Sequence, residues 1–412
     1  PQHIQQLSDI FETQGIGTNV AFYVGHNAIR QEALGDDQQR APSIEELARM
    51  RGLVREGMEM GALGLSTGLM YEPGMFSETD EVTALAAEVA PYGGIYDSHV
   101  RDPGHDLLRS DTEVIEIAEG AGVPGKIGHL KAVGLHYEGA IIDVIELVEA
   151  ARARGVEIVS DQYPYDGAAT ANLAAIMVVP EGMAGLEQFK TMPRQGWSDA
   201  GMDELKAALA SPEKRRALKT ASENGVDGGF AWLKATGSGS MRIFSSSDYP
   251  DLVGKYLSEI ATDRGLDPFD AISELVIGST APVNLTLGAI KEHDVQNLLV
   301  QPWNMIASDG AYADGSDAAE GHPRSAGTFA RLLGHYVREQ ELLSLEEAVR
   351  KVTSFPADFH GMEDRGRIVV GAAADLVIFD PATIIDRSDW DYPNRFAVGV
   401  SHVLVNGEPV LS

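Results

Sequence analysis

The 412-residue sequence predicts an α/β chain built on a TIM-like (β/α)8 barrel, and three observations carry that reading. Short apolar runs alternate with helical patterns from about residue 19 to residue 163, the texture of βα units around a parallel sheet. Three of the runs end in a chemically able side chain: His99 in GIYDSH, His129 in KIGHLK and Asp309 in NMIASDG. Functional side chains collect at the carboxyl ends of the strands in a parallel barrel, so these three belong to one mouth. From Gly366 the texture changes to short strand-like runs with Asn-Gly and Gly-Ala turns, the mark of a small β module.

Taken in order, Asn19–Gly25 is an apolar run ending in glycine and reads as a buried strand. Ser43–Gly61 repeats Ile44, Leu47, Met50, Leu53, Val54 and Met58 at helical spacing, with Glu45 and Glu46 in its first turn. Gly61–Ser66 is strand-like, Glu78–Val89 helical, Gly94–His99 a strand, Thr112–Ala121 helical and Gly125–Leu130 a strand. Gly139–Arg154 is helical and Val156–Tyr163 a strand. The pattern loosens from about 166 to 300, an insertion in which Met241–Ser247 reads as a strand. It returns with the strand at Met305–Asp309 and helices at Ser325–Gln340 and Ser344–Thr353, the last capped by Ser344 with Glu347 three residues on. The domain reading is a barrel over 1–365, with the insertion at about 166–300, and part of a small β-sandwich module over 366–412. Six barrel strands can be counted, near 20, 62, 96, 127, 159 and 306, where a closed barrel has eight.

Composition bounds the chemistry. A 44% hydrophobic chain of this length supports one large core. No cysteine is present, which removes disulfides, thiolate ligands and thiol nucleophiles within these residues. No run approaches about 18 apolar residues, and the first residues lack a secretory pattern, so a membrane span is not expected and a cytoplasmic setting is. With 62 acidic and 32 basic residues the net charge is −30, a surface that repels nucleic acid and anionic membrane. An anionic substrate therefore needs a local cluster of Lys or Arg.

A single strand-end histidine is most simply a hydrogen-bonded core residue. Two at matched positions on successive strands are different, because adjacent parallel strands bring those ends together, and neutral imidazole is a good zinc ligand. Asp309, at the end of a later strand and before a glycine, faces the same mouth and can ligate metal or take a proton from water. His26, after the first strand, reads as a supporting residue. His105, His136, His293, His335, His360 and His402 give no such signal, and Arg101, able to steady a neighbouring acid, is left unassigned.

These motifs resemble the N-acyl-D-amino-acid deacylases (D-aminoacylases) of the amidohydrolase superfamily. The resemblance rests on GALGLSTGL at 61–69 with Tyr71 and Pro73, Ser98-His99-Val100-Arg101, Gly128-His129-Leu130-Lys131 and DQYPY at 161–165. Ser308-Asp309-Gly310, His322-Pro323-Arg324, DRGRI at 364–368 and GAAADLV at 371–377 continue it, from about Asn19 to the C-terminus. It implies one or two zinc ions held in part by His99 and His129. It also implies a zinc-activated water that attacks the amide of a small N-acyl amino acid, and Asp309 carrying the water proton to the leaving amine. Lys131, two residues beyond His129 and so on the same face, is placed to hold the substrate carboxylate. Arg324, Tyr71 and Tyr163 are further substrate-binding residues by resemblance. The near alternatives are an amidohydrolase acting on a cyclic amide or a D-dipeptide, and a non-catalytic barrel.

The sequence departs from the family pattern in one respect. The resemblance calls for a His-X-His strand and a metal-binding cysteine near the start, and neither occurs. The expectation is a chain that begins part-way into the barrel, beyond strands 1 and 2, and that by itself is poorly stable and inactive.

Overall fold

The computed structural model describes residues 2–411 apart from 135–136, 184, 187–197, 227–230 and 319–320, so His136 lies outside the described residues. Helix α1 (Gln2–Gln14) precedes a run of βα units. Strand β1 (Val24–Gly25) leads into α2 (His26–Leu34) and α3 (Ile44–Glu59), and β2 (Gly64–Gly68) into α4 (Thr79–Ala86). Then come β3 (Ile95–His99), α5 (Leu107–Ala121), β4 (Gly125–Ile127), α6 (Ile141–Ala153) and β5 (Ile158–Gln162). Within the insertion, β6 (Ala168–Asn172), β7 (Met241–Ser245) and β8 (Asn284–Leu287) make an antiparallel sheet in the order β6-β8-β7. The chain then returns to the first sheet as β9 (Asn304–Ile306).

That first sheet is wholly parallel, in the order β1-β2-β3-β4-β5-β9. All six expected strands are in it. Among the described residues no pairing joins β1 to β9. Parallel strands need cover on both faces. On the outer face Met50, Val54, Val82, Leu85, Val114, Ile117, Val144 and Val148 pack with Leu65, Tyr96, Ile127 and Ile158 in one buried cluster. Each such side chain contributes roughly 1.5–3 kcal/mol. Gly64 is what lets β2 lie against β3: a Cβ there would stand 2.0 Å from the carbonyl oxygen of Ile95, and its φ is +157°.

Local signals explain the element ends. Ser43 and Glu46 form the reciprocal box that starts α3. Ser344 accepts the amide of Glu347 at the start of the helix Leu345–Val352. Two expectations are revised. Only Val24–Gly25 of the run Asn19–Gly25 is strand, because β2 is its single partner and only Val24 and Gly25 are in register with it. The helix expected over Ser325–Gln340 is α-helical over Arg324–Arg331 and widens to π over Leu332–Glu339. At the C-terminus β10 (Leu376–Phe379), β11 (Val400–Val405) and β12 (Glu408–Leu411) form an antiparallel sheet. Asn406 (φ +52°) and Gly407 (φ +86°) make the tight turn between β11 and β12. Ile368 and Val370 lie outside this sheet and are almost fully exposed. Among the described residues no helix is long and apolar enough to cross a membrane.

Candidate functional site

The strand mouths assemble the site. His99 is the last residue of β3, in register with Gly68 at the end of β2. His129 lies two residues beyond β4 rather than at its end, with φ at +39°. Asp309 lies beyond β9 with φ at +45°. Left-handed backbone is uncommon outside glycine, and two of the four such residues among the described ones are those chosen for chemistry. Gly128 permits the turn into His129, since a Cβ there would press to 3.1 Å on both Asp97 Oδ1 and the Ser98 carbonyl.

The side chains meet. His99 Nδ1 and His129 Nε2 are 2.7 Å apart, with the rings nearly perpendicular. Lys131 turns back so that Nζ donates to His129 Nδ1 and to the His129 carbonyl, both at 2.8 Å. Tyr71 packs on His99 with centroids 4.8 Å apart. Arg324 lies over the Tyr163 ring at 4.5 Å, and Lys131 stands 5.6 Å from the same ring. Arg324 Nη1 is 2.7 Å from Asp309 Oδ2; the approach is ionic, outside hydrogen-bond geometry. All seven residues expected at the site are thus joined by a chain of contacts and ion pairs.

Electrostatics sort their states. Burial pushes the His99 imidazole down to about 3, with the Lys131 charge adding to it. Burial, Lys131 and His99 hold His129 well below its ordinary value. Both rings are neutral. Because the Lys131 ammonium donates to His129 Nδ1, the His129 proton sits on Nε2 and is shared with His99 Nδ1. Burial brings the Lys131 ammonium down to about 8, against the pull of Asp309. Burial raises the Asp309 carboxyl, against Arg324 and Lys131. Burial likewise raises the Tyr71 and Tyr163 phenols, which stay protonated.

A buried polar layer fixes His129 from below. Asp161 Oδ1 accepts the His129 amide at 2.5 Å, and its carbonyl accepts the Leu130 amide at 2.8 Å. The other oxygen takes Lys126 Nζ at 2.5 Å, and Lys126 is also 3.2 Å from Asp97. Burial works to lower the Lys126 ammonium, but Asp161 and Asp97 outweigh it and raise it. Sequence reasoning passed over Lys126 altogether and met Asp161 only as part of DQYPY. The sequence gives little signal for the pair, since β5 carries Ser160 and Gln162 besides Asp161 and is not uniformly apolar.

The donor chemistry fits zinc in kind. Two neutral imidazoles face each other, and His99 Nε2 is buried without a partner. Nitrogens sharing one tetrahedral zinc stand roughly 3.3 Å apart, so the pair must open slightly to admit it. In number the fit is partial: among the described residues no three His, Cys, Asp or Glu side chains are grouped to hold a metal. The other histidine and arginine candidates fall elsewhere. His26 is fully buried against Glu81 at 3.0 Å, and Arg101, which the sequence left unassigned, is held by two bonds to Glu113.

Comparison with known proteins bears on this geometry. Residues 262–411 match the model of an amidohydrolase family. The chain is 32% identical over 396 residues to an N-acyl-D-glutamate deacylase of Alcaligenes xylosoxydans xylosoxydans, spanning 96% of this chain and 67% of the relative. It is 33% identical over 402 residues to a D-aminoacylase of the same organism, spanning 98% of this chain and 69% of the relative. Among solved structures, it superposes with a TM-score of 0.75 and 31% identity on an N-acyl-D-glutamate deacylase from Bordetella bronchiseptica. That match covers 98% of this chain and 70% of the other, which was determined with zinc and a phosphonate mimic of the tetrahedral intermediate.

Proposed function

Because the chain belongs to the D-aminoacylase family of amidohydrolases, we propose that it supplies the site for hydrolysing the amide bond of N-acyl-D-amino acids to a D-amino acid and a carboxylate. The observation that carries the proposal is the contact chain itself. Two neutral imidazoles, one carboxylate and two cations, from the mouths of β3, β4 and β9 and from the start of the helix Arg324–Arg331, meet around Tyr71 and Tyr163.

In this reading His99 and His129 hold zinc, which supplies Lewis acidity to the amide carbonyl and to the attacking water. Lys131 and Arg324 hold the α-carboxylate, overcoming the repulsion of a chain with net charge −30. Both stand close to the Tyr163 ring, and a carboxylate held between two such cations would fix the stereocentre relative to Asp309. Asp309 takes a proton from water and returns it to the departing amine nitrogen. Its raised pKa suits the first of these steps, since a more basic carboxylate takes the proton from water more readily. Tyr71 and Tyr163 remain protonated and close the recess over the substrate. The carboxylate-binding cations favour a linear N-acyl amino acid over a cyclic amide. We assign residues 1–365 to the hydrolase unit and 366–412 to part of a β module, a division supported by the separate antiparallel sheet β10–β12.

The test is direct. The purified chain is loaded with zinc, its metal content is measured, and release of amino acid is followed from N-acetyl-D- and N-acetyl-L-amino acids and from a hydantoin. Zinc uptake lost in His99→Asn and His129→Asn, with turnover confined to the D-series, supports the proposal. Zinc content indifferent to both histidines overturns it, as does preferred turnover of the L-series or the hydantoin.

A further inference from the structure

The antiparallel sheet of the insertion carries a buried cation that the reaction does not use. Arg242 lies on β7, opposite Thr286 of β8, and its side chain is 4% exposed. Its Nε donates to the Gly254 carbonyl at 3.0 Å, and Nη2 lies 3.3 Å from Asp391, itself mostly in solvent. Nη1 is buried and has no partner. A buried guanidinium N–H left unpaired is costly. Arg242 is also among the residues lining a pocket of about 170 Å³, with Asp166, Ser240, Tyr256, Gly288 and Trp390 among its walls. That volume holds a molecule of a few heavy atoms, or on the order of five waters.

The pocket neighbours the catalytic cluster. Trp390 donates to Asp166 Oδ1 at 3.1 Å and packs on His322 with centroids 4.7 Å apart. His322 in turn lies 5.8 Å from Tyr163, the ring that carries Arg324. This aromatic layer links the pocket wall at Trp390 to Tyr163 of the proposed substrate recess.

The geometry points to a second carboxylate-binding pocket at Arg242, which takes a small monocarboxylate released by the reaction. The identity of that ligand as a product rests on the hydrolase reading; the binding itself does not. A carboxylate oxygen is a suitable acceptor for the unpartnered Nη1. A dianion is disfavoured, because Asp166 and Asp391 flank the same cation. Hydrolysis of an N-acyl amino acid yields two monocarboxylates, the acyl acid and the free amino acid, and Asp166 gives the second a partner for its ammonium.

Calorimetric titration with acetate and with D-alanine, in chloride-free buffer, tests this without turnover. The double variant Lys131→Met/Arg324→Met removes the carboxylate grip of the catalytic recess. Saturable binding that persists there, and weakens at least tenfold on adding Arg242→Met, supports the proposal. Gly288→Leu guards against a folding artefact. It retains the guanidinium while filling the pocket, and a Cβ at Gly288 meets only ordinary contacts, the nearest at 3.4 Å. It should weaken binding equally. D-alanine binding more tightly than acetate, with Asp166→Asn removing the difference, assigns the pocket to the amino acid; equal binding assigns it to the acyl acid. No carboxylate binding in the double variant, or binding indifferent to both pocket substitutions, overturns the proposal and leaves a pocket filled by water. A protein that binds at Arg242 yet takes up no zinc at His99 and His129 would refute the hydrolase reading alone.

Discussion

Replacing Asp111 by asparagine should change how stability depends on pH. Asp111 lies on α5, is fully buried, and neither carboxyl oxygen has a hydrogen-bond partner. Burial pushes its carboxyl up to about 8, and the charge on Lys131 only partly opposes this. In the unfolded chain the same group titrates near 3.9. Between those values the native state holds a proton that the unfolded state has lost, so stability falls as pH rises. The contribution is whole below about pH 4 and is lost as pH climbs towards 8. Each pH unit inside that window is worth about 1.4 kcal/mol, so the step from pH 5 to pH 7 should lower wild-type stability by up to about 2.7 kcal/mol through this one group. Asparagine does not titrate. Urea denaturation of both proteins at pH 5, 6, 7 and 8, extrapolated to water, isolates the effect, because the other titrating groups cancel in the difference. The asparagine variant should gain steadily on wild type across the series. A gap that stays constant from pH 5 to pH 7 would mean that Asp111 is solvated or ion-paired in the native state, and the burial argument would be wrong.

Other outcomes follow from the site. Asp309→Asn should lower kcat by roughly 10²–10⁴ with little change in bound zinc, measured by steady-state kinetics beside metal analysis. Equal loss of metal would make Asp309 a ligand instead. Lys131→Met and Arg324→Met should each reduce kcat/KM for N-acetyl-D-amino acids by roughly 10- to 150-fold, the worth of a charged hydrogen bond. The corresponding substrate amides, which lack the carboxylate, should show no such loss. Asp161→Asn removes a partner of buried Lys126 and loosens His129, and should destabilise the fold by about 3–5 kcal/mol. The double change Lys126→Met/Asp161→Leu should cost less than the two single changes summed, because it removes both members of that pair and leaves only Asp97 without its cation.

The strand mouths were legible because periodicity is local. A buried parallel strand is an apolar run, and His99 and Asp309 stood out at the close of such runs, although β9 itself stops at Ile306. The family motifs added Lys131, Arg324, Tyr71 and Tyr163, all of which meet in the site. Other features were not legible. Helix α2 begins at His26, which read as a supporting residue, but its buried partner Glu81 stands 55 residues away in the chain. The layer of Asp97, Lys126 and Asp161 spans three strands, and each member looks like an ordinary charged residue until the sheet closes over it.

The amino-acid order by itself determined which segments become strands and helices, the absence of thiol chemistry within these residues, and the metal-capable and proton-accepting side chains, because each depends on residue type and short-range spacing. Only the tertiary structure decided that His129 and Asp309 adopt left-handed backbone, that Lys131 turns onto His129, that Asp111 is sealed from water and that Arg242 faces a pocket with one nitrogen free. Those properties arise from desolvation and from contacts between distant segments, and no local pattern encodes either.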